Sequence, residues 1–158
     1  MTNNKRPRRI PDDPAEAYTA ALKTALNIVG FKDNTEEQIR DKLTERGYRP
    51  ETVGEVLSFL VGKGYVDETR MLERTVHLLA EGRGYGRRRI REELKRMKFR
   101  REVLEAFDGW EDIDFVSICR KLIGKRGGAR DDKTYAFLLR RGHRPEDIKN
   151  AFSEEVSE

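Results

Sequence analysis

The sequence predicts an all-α protein, an elongated tandem array of three three-helix, helix-turn-helix-like units with about nine helices in all. Three observations carry this. Apolar residues recur at i, i+3 or i+4, and i+7 along most of the chain, and no segment alternates convincingly as a strand would. The stretch LTERGYRPE at 43–51 returns almost residue for residue as LLRRGHRPE at 138–146, with LKRMKFRRE at 94–102 as a looser middle copy. Self-similarity of this kind marks an array whose neighbouring units share cores. Finally, 39% of residues are charged against 36% hydrophobic and only 8% aromatic. That apolar supply is lean for a compact sphere and suits an extended helical object.

The repeat divides the chain into a disordered basic arm at 1–11 and units at 12–64, 65–108 and 109–156. Lys5, Arg6, Arg8 and Arg9, with Pro7 and Pro11, define the arm. The first helix starts near Asp12 to Pro14, carries Tyr18, Ala21, Leu22, Ala25 and Val29, and closes at Gly30. Thr35 with Gln38 three residues on is a capping-box pattern that opens the second helix, with Ile39 and Leu43 inward. Gly47 suits the left-handed position after that helix, and Pro50 the first position of the next. Val53, Val56, Leu57 and Leu60 then form an apolar stripe that runs out at Gly62 to Gly64.

In the second unit Asp67 caps a long helix with Met71, Leu72, Val76, Leu79 and Ala80 inward, ended by Gly82 and Gly84. The turn Gly84-Tyr85-Gly86 feeds a helix to about Lys98, and a short helix follows over 101–107. An acidic link with Trp110 as an anchor between units leads to a helix from about Asp112 that holds Phe115, Ile118, Cys119 and Leu122. After a basic, flexible loop at 124–128, the last two helices, over 131–141 and 145–153, bury Tyr135, Leu138, Leu139, Ile148, Ala151 and Phe152.

Charge singles out the middle of the chain. From Arg70 to Arg101 there are twelve Lys and Arg against four Glu, whereas from Asp33 to Glu68 nine acids face five bases. Net charge is +4, so distribution says more than the total. Arg87, Arg88 and Arg89 crowd the first turn of their helix, where unpaired N–H groups already carry positive charge and acids are favoured. Either Arg88 with Glu92 and Arg89 with Glu93 neutralise each other at i,i+4 spacing, or the row faces a polyanion or an acidic protein surface. The local excess of base favours the second.

Several classes drop out. A single cysteine, Cys119, lies on an apolar helical stripe, so it reads as a buried structural thiol and allows no internal disulfide. His143 occupies the slot of Tyr48 and Phe99 and is expected to pack under its turn, and His77 has no ligand-spaced partners. With no phosphate loop, nucleophile elbow or metal cluster, no catalytic residue, metal or cofactor is assigned, and the protein is not expected to be an enzyme. No apolar run reaches membrane-span length and no signal segment is evident, so a cytoplasmic, soluble monomer is expected.

The chain resembles the RecX family of bacterial recombination regulators. The likeness is carried by Gly64-Tyr65-Val66-Asp67-Glu68 with Arg70, by Gly84-Tyr85-Gly86 with Arg89, Ile90 and Leu94, and by residues 137–142 with Glu146, Asp147, Ile148, Ala151 and Phe152. Arg87 stands where a proline-like residue often follows the turn, and Lys98 where the junction usually has glycine. The resemblance implies a non-enzymatic modulator that lies in the groove of the RecA–DNA filament and mainly inhibits RecA recombinase, ATPase and co-protease activity. Arg83, Tyr85, Arg87, Arg88, Arg91 and Lys95, with Arg140 and Arg141, are the expected partner-binding residues, with room for weak contact to single- or double-stranded DNA. The alternative is a tandem helix-turn-helix regulator acting directly on duplex DNA. Against it, Glu51, Glu55, Glu102, Glu105 and Asp147 make the third-helix surfaces acidic where a recognition helix is basic.

Overall fold

Nine α-helices and no strands make up residues 9–153, the part of the chain that the computed structural model describes. Residues 1–8 of the arm expected at 1–11, and the end of the third unit at 154–156, lie outside the described residues.

Helix α1 (Pro14–Phe31) begins where expected, because the Asp13 side chain accepts from the Glu16 N–H and Pro14 stands in the first turn. It runs one residue past Gly30 and ends on an extended Lys32, so Gly30 is an ordinary helical residue and not the stop. Helix α2 (Glu36–Glu45) carries the full capping box: Thr35 Oγ1 accepts from Gln38 N, and Gln38 Oε1 accepts from Thr35 N at 3.0 Å. Helix α3 (Pro50–Gly62) lays Val53, Val56, Leu57 and Leu60 against Ala21, Ala25, Ile39 and Leu43, all buried. These three helices form the first bundle.

Helix α4 (Glu68–His77) stops being α-helical before its expected end. A π-helical turn, Leu78–Gly82, follows, and Arg83 and Gly84 close it with N–H groups donated to Leu78 and Ala80 carbonyls. Inserted turns of this kind leave no mark in hydrophobic spacing, since Val76 and Ala80 stay buried on either side. Helices α5 (Arg87–Arg96) and α6 (Arg101–Ala106) follow, then a 3₁₀ turn, Gly109–Asp112. Helix α7 (Phe115–Lys125) starts three residues later than expected because Asp114, not Asp112, accepts from the N–H of Ser117. Helices α8 (Asp132–Arg140) and α9 (Pro145–Phe152) complete the chain. The loop between α7 and α8 is tied down at both ends: the Arg126 guanidinium lies over Phe137, and Arg130 donates to the Phe152 carbonyl.

The chain divides into two compact units. One comprises the residues up to Glu68 with Lys98–Arg100, and the other Thr69–Met97 with the chain from Arg101 on. In the first, buried Glu68 accepts from Arg100 N and Arg100 Nε, both at 3.0 Å. In the second, Cys119, Ile123, Leu138, Ile148 and Ala151 form the core beneath α7, α8 and α9.

All three repeat junctions place one residue in the left-handed region at the same register: Gly47 (φ 92°), Lys98 (φ 60°) and Gly142 (φ 92°). After α2 and α8 the same pair of bonds closes the helix. Tyr48 N donates to Leu43 O and Gly47 N to Thr44 O, matched by His143 N to Leu138 O and Gly142 N to Leu139 O.

Candidate functional site

The Gly84-Tyr85-Gly86 turn is docked onto the α8–α9 junction by backbone. Gly86 N donates to Arg141 O at 2.8 Å and Arg88 N to Gly142 O at 3.2 Å. The two chains run so close that a Cβ on Gly86 would lie 2.2 Å from His143 N, and one on Gly142 would lie 2.4 Å from Arg89 N. Helix α5 thus starts against the end of α8, and the N–H groups left over at one helix start meet the carbonyls left over at the other helix end. This accounts for arginines in the first turn of α5. The Arg88 guanidinium donates to Leu139 O at 2.8 Å, so the negative end of α8 offsets the positive end of α5.

Side chains reinforce the dock. Arg141 Nε donates to Gly84 O at 3.4 Å, and its terminal Nη2 donates to Arg83 O. Tyr85 is half-buried with the guanidinium groups of Arg89 and Arg141 over its ring at 4.9 and 5.1 Å. His143 is buried with Nε2 2.9 Å from Gly84 O. A carbonyl only accepts, so Nε2 carries the proton and Nδ1 is left bare, buried and without a partner. Burial first, then the Arg141 charge, pulls the His143 pKa below its ordinary value, against the opposing pull of the Gly84 carbonyl and Asp147. Of the expected binding residues, Tyr85, Arg88 and Arg141 therefore hold this turn together, while Arg83 and Arg140 have exposed side chains.

The remaining charges of α5 sort into two groups. Arg88 pairs with Glu92 at 3.7 Å, and Glu93 takes both Arg89 at 3.1 Å and Arg96 at 3.2 Å. Both acids of the helix are used in this way. Arg87, Arg91 and Lys95, one turn apart along the opposite flank, make no ion pair among the described residues.

These three line a groove of about 340 Å³. Buried Leu72 and Leu94 form its base with half-buried Leu104, and Phe107 and Trp110 form a wall. Trp110 is held edge-on to Phe107 at 5.1 Å and tilted on Phe115 at 6.4 Å, with Arg87 and Arg91 over its ring at 4.9 and 5.4 Å. Burial, followed by the charges of Arg91 and Arg144, lowers the Arg87 pKa, and Arg87 Nε is buried without a partner. Glu105 is the one acid on the groove, and Arg101 Nε already engages it at 2.8 Å. The groove thus presents cations, an aromatic wall and an aliphatic base, which suits a ligand that is both anionic and apolar.

Other candidates resolve differently. Cys119 is buried and its thiol is pushed up to about 12, chiefly by burial and then by Asp147, so it is inert at neutral pH. Asp147, expected on an acidic surface, is instead buried and accepts from Arg144 Nε at 3.1 Å. No group of His, Cys, Asp and Glu that could hold a metal occurs among the described residues, and no described helix is long and apolar enough to cross a membrane. Sequence reading missed Glu68, whose burial and bond to Arg100 span 32 positions and have no local signal.

The fold is that of an all-helical protein of the tandem three-helix type. Residues 21–60 match the family model for the RecX first three-helix domain. The chain is 30% identical over 140 residues to Regulatory protein RecX of Vibrio vulnificus, covering 84% of this chain and 91% of that one. It is 28% identical over 151 residues to Regulatory protein RecX of Escherichia coli strain SE11, covering 85% and 90%. In three dimensions it is similar to the crystal structure of RecX from Lactobacillus salivarius, with a TM-score of 0.78 at 18% identity over 87% of this chain and 95% of that one. The chain belongs to the RecX family of regulatory proteins.

Proposed function

We propose that this protein binds the RecA–DNA filament and modulates RecA, mainly by inhibiting its recombinase, ATPase and co-protease activities, and so acts in recombination and DNA repair. Membership of the RecX family supports the regulatory role. The observation that carries the site is the row Arg87, Arg91 and Lys95 beside Trp110, which has no acid of its own while the other flank of α5 is neutralised. Arg83 and Arg140, both exposed, extend this contact. Tyr85, Arg88 and Arg141 serve it by fixing the turn that starts α5. The protein acts as a cytoplasmic monomer, without catalysis of its own, and any contact with free DNA is weak.

Direct duplex recognition is the less supported reading. Glu51 and Glu55 on α3 and Glu102 and Glu105 on α6 are exposed, in the position where a recognition helix meets phosphate. The test is a RecA ATPase assay on single-stranded DNA with this protein added at substoichiometric ratio. Inhibition is expected, and Arg91→Glu with Lys95→Glu is expected to weaken it at unchanged helicity by circular dichroism. Undiminished inhibition by that double variant sinks the assigned site. Tight, steeply salt-dependent duplex binding without RecA would favour the DNA reading instead.

A further inference from the structure

We infer that the groove beside Trp110 receives a short acidic, hydrophobic peptide segment of a protein partner. An aliphatic or aromatic side chain enters over Leu72, Leu94 and Leu104, and neighbouring carboxylates pair with Arg91 and Lys95. This rests on the reading of the α5 row as a partner-contact surface and adds the chemistry that the surface selects.

Charge complementarity points to an anion. Arg91 and Lys95 are exposed, stand four residues apart on one flank and have no carboxylate partner among the described residues. The only acid on the groove is occupied by Arg101. An arriving carboxylate therefore meets donors that no internal ion pair must release, and charge-assisted bonds of this kind are the strong ones.

The shape and lining separate a peptide from a nucleic acid. Single strands bind where open aromatic faces stack successive bases along a track of cations. Here the guanidinium groups of Arg87 and Arg91 already lie over the Trp110 ring, and the cations occupy one flank of one helix. Beneath them the base is aliphatic, which rewards a leucine or phenylalanine side chain more than a polar base edge. At about 340 Å³ the groove lies at the small end of ligand clefts, a size for one anchoring side chain and its neighbours. A buried apolar anchor surrounded by contacts that exclude water is also the usual energetic centre of such an interface.

Trp110 is the only tryptophan in the chain, so its emission reports occupancy of the groove directly. The experiment titrates the full chain with a capped peptide of aspartates and glutamates interrupted by one phenylalanine and one leucine. Matched titrations use the same peptide with alanine at both apolar positions, and oligothymidylate. The acidic, apolar peptide is expected to shift Trp110 emission saturably. Arg91→Gln with Lys95→Gln, and separately Leu104→Ala, are expected to weaken that binding by about tenfold each, or about 1.4 kcal/mol. Both variants are checked for unchanged helicity, and the alanine peptide is expected to bind no better than the weakened pairs. Saturation by oligothymidylate without saturation by the peptide overturns the proposal, as does a peptide affinity indifferent to both variants. If the peptide fails but Arg91→Glu with Lys95→Glu still abolishes RecA inhibition, the groove chemistry is wrong and the site stands. If inhibition survives that variant, the site itself falls.

Discussion

The α2–α3 and α8–α9 junctions share nearly one sequence and one backbone geometry, yet among the described residues only the second has the start of another helix docked on it by backbone. Gly47 and Gly142 both sit at φ 92° and both close the preceding helix with the same two bonds. A Cβ on Gly47 would meet only the far end of the Ile10 side chain, at 3.1 Å. One on Gly142 would strike the backbone of Arg89. In the first copy the glycine answers chiefly a local need, a left-handed residue after a helix. In the third it answers that need and also lets another helix start against it. A repeat can therefore keep a motif for its local geometry and recruit one copy for packing without changing a letter of the shared core of the motif.

Alanine substitutions break the two apart. Gly142→Ala combines left-handed strain of about 1 kcal/mol with a backbone clash of about 3 kcal/mol, and is expected to be the most destabilising change. Gly86→Ala meets only the clash, against His143 N, and is expected to cost about 3 kcal/mol. Gly47→Ala keeps only the strain, about 1 kcal/mol, because a flexible isoleucine tip can move aside. Urea unfolding followed by Trp110 emission reads the first two, since Trp110 lies in the second unit, and far-ultraviolet circular dichroism reads the third. Equal losses at Gly47 and Gly142 would mean that the dock contributes nothing beyond the local turn.

The residue after each glycine sharpens the same contrast. Tyr48 is half-buried and carries no such long-range bond, whereas His143 is buried and donates to Gly84 O across the dock. Its pKa is lowered in the folded state, so the unfolded chain takes up the proton first as pH falls. The stability it allows is complete above the ordinary histidine value of 6.5 and is lost as pH drops below it. The groups that face it are Gly84 O, Asp147, Arg141 and the ring of Phe115. His143→Tyr, which restores the first-copy residue, is expected to flatten the fall in urea midpoint between neutral and mildly acid pH. An unchanged slope would assign the acid sensitivity to carboxylates elsewhere.

Helix existence and repeat register were legible because they rest on local signals: the Thr35 capping box, prolines at helix starts and apolar stripes at helical spacing. The candidate site was legible only in part. Arg87 and Arg91 have bases four residues on, whereas Glu92 and Glu93 stand four residues after Arg88 and Arg89, which marks that pair locally; no local signal showed that Arg88 is also spent on the Leu139 carbonyl 51 positions away. The π-helical turn at Leu78–Gly82 was invisible because Val76 and Ala80 stay buried on either side of it, and the burial of Glu68 because its partner Arg100 lies 32 positions away. Charge patterning pointed to α5. The pairs within the helix are local, but the bond from Arg88 to the end of α8 is a tertiary property.

The middle junction offers the finest test of what the flanking pair share. Lys98 holds φ 60° where both other copies use glycine, and it is the only non-glycine residue at positive φ among the described residues. A side chain is rarely stable there, because its Cβ crowds the backbone carbonyl. The position is kept in part by the Lys98 ammonium, which donates to the Asp41 carboxylate. That bond is exposed, and exposed pairs contribute little once side-chain ordering is counted. Lys98→Gly should therefore relieve more strain than it loses in pairing, partly offset by the greater freedom of glycine in the unfolded chain. The expected result is a small rise in Tm, larger at high salt, where the wild-type pair is screened. Lys98→Ala removes the pair and keeps the strain, so it should lower Tm slightly. If both variants fall together, the ion pair and not the backbone governs this junction, and the three copies are alike in sequence register but not in what holds them.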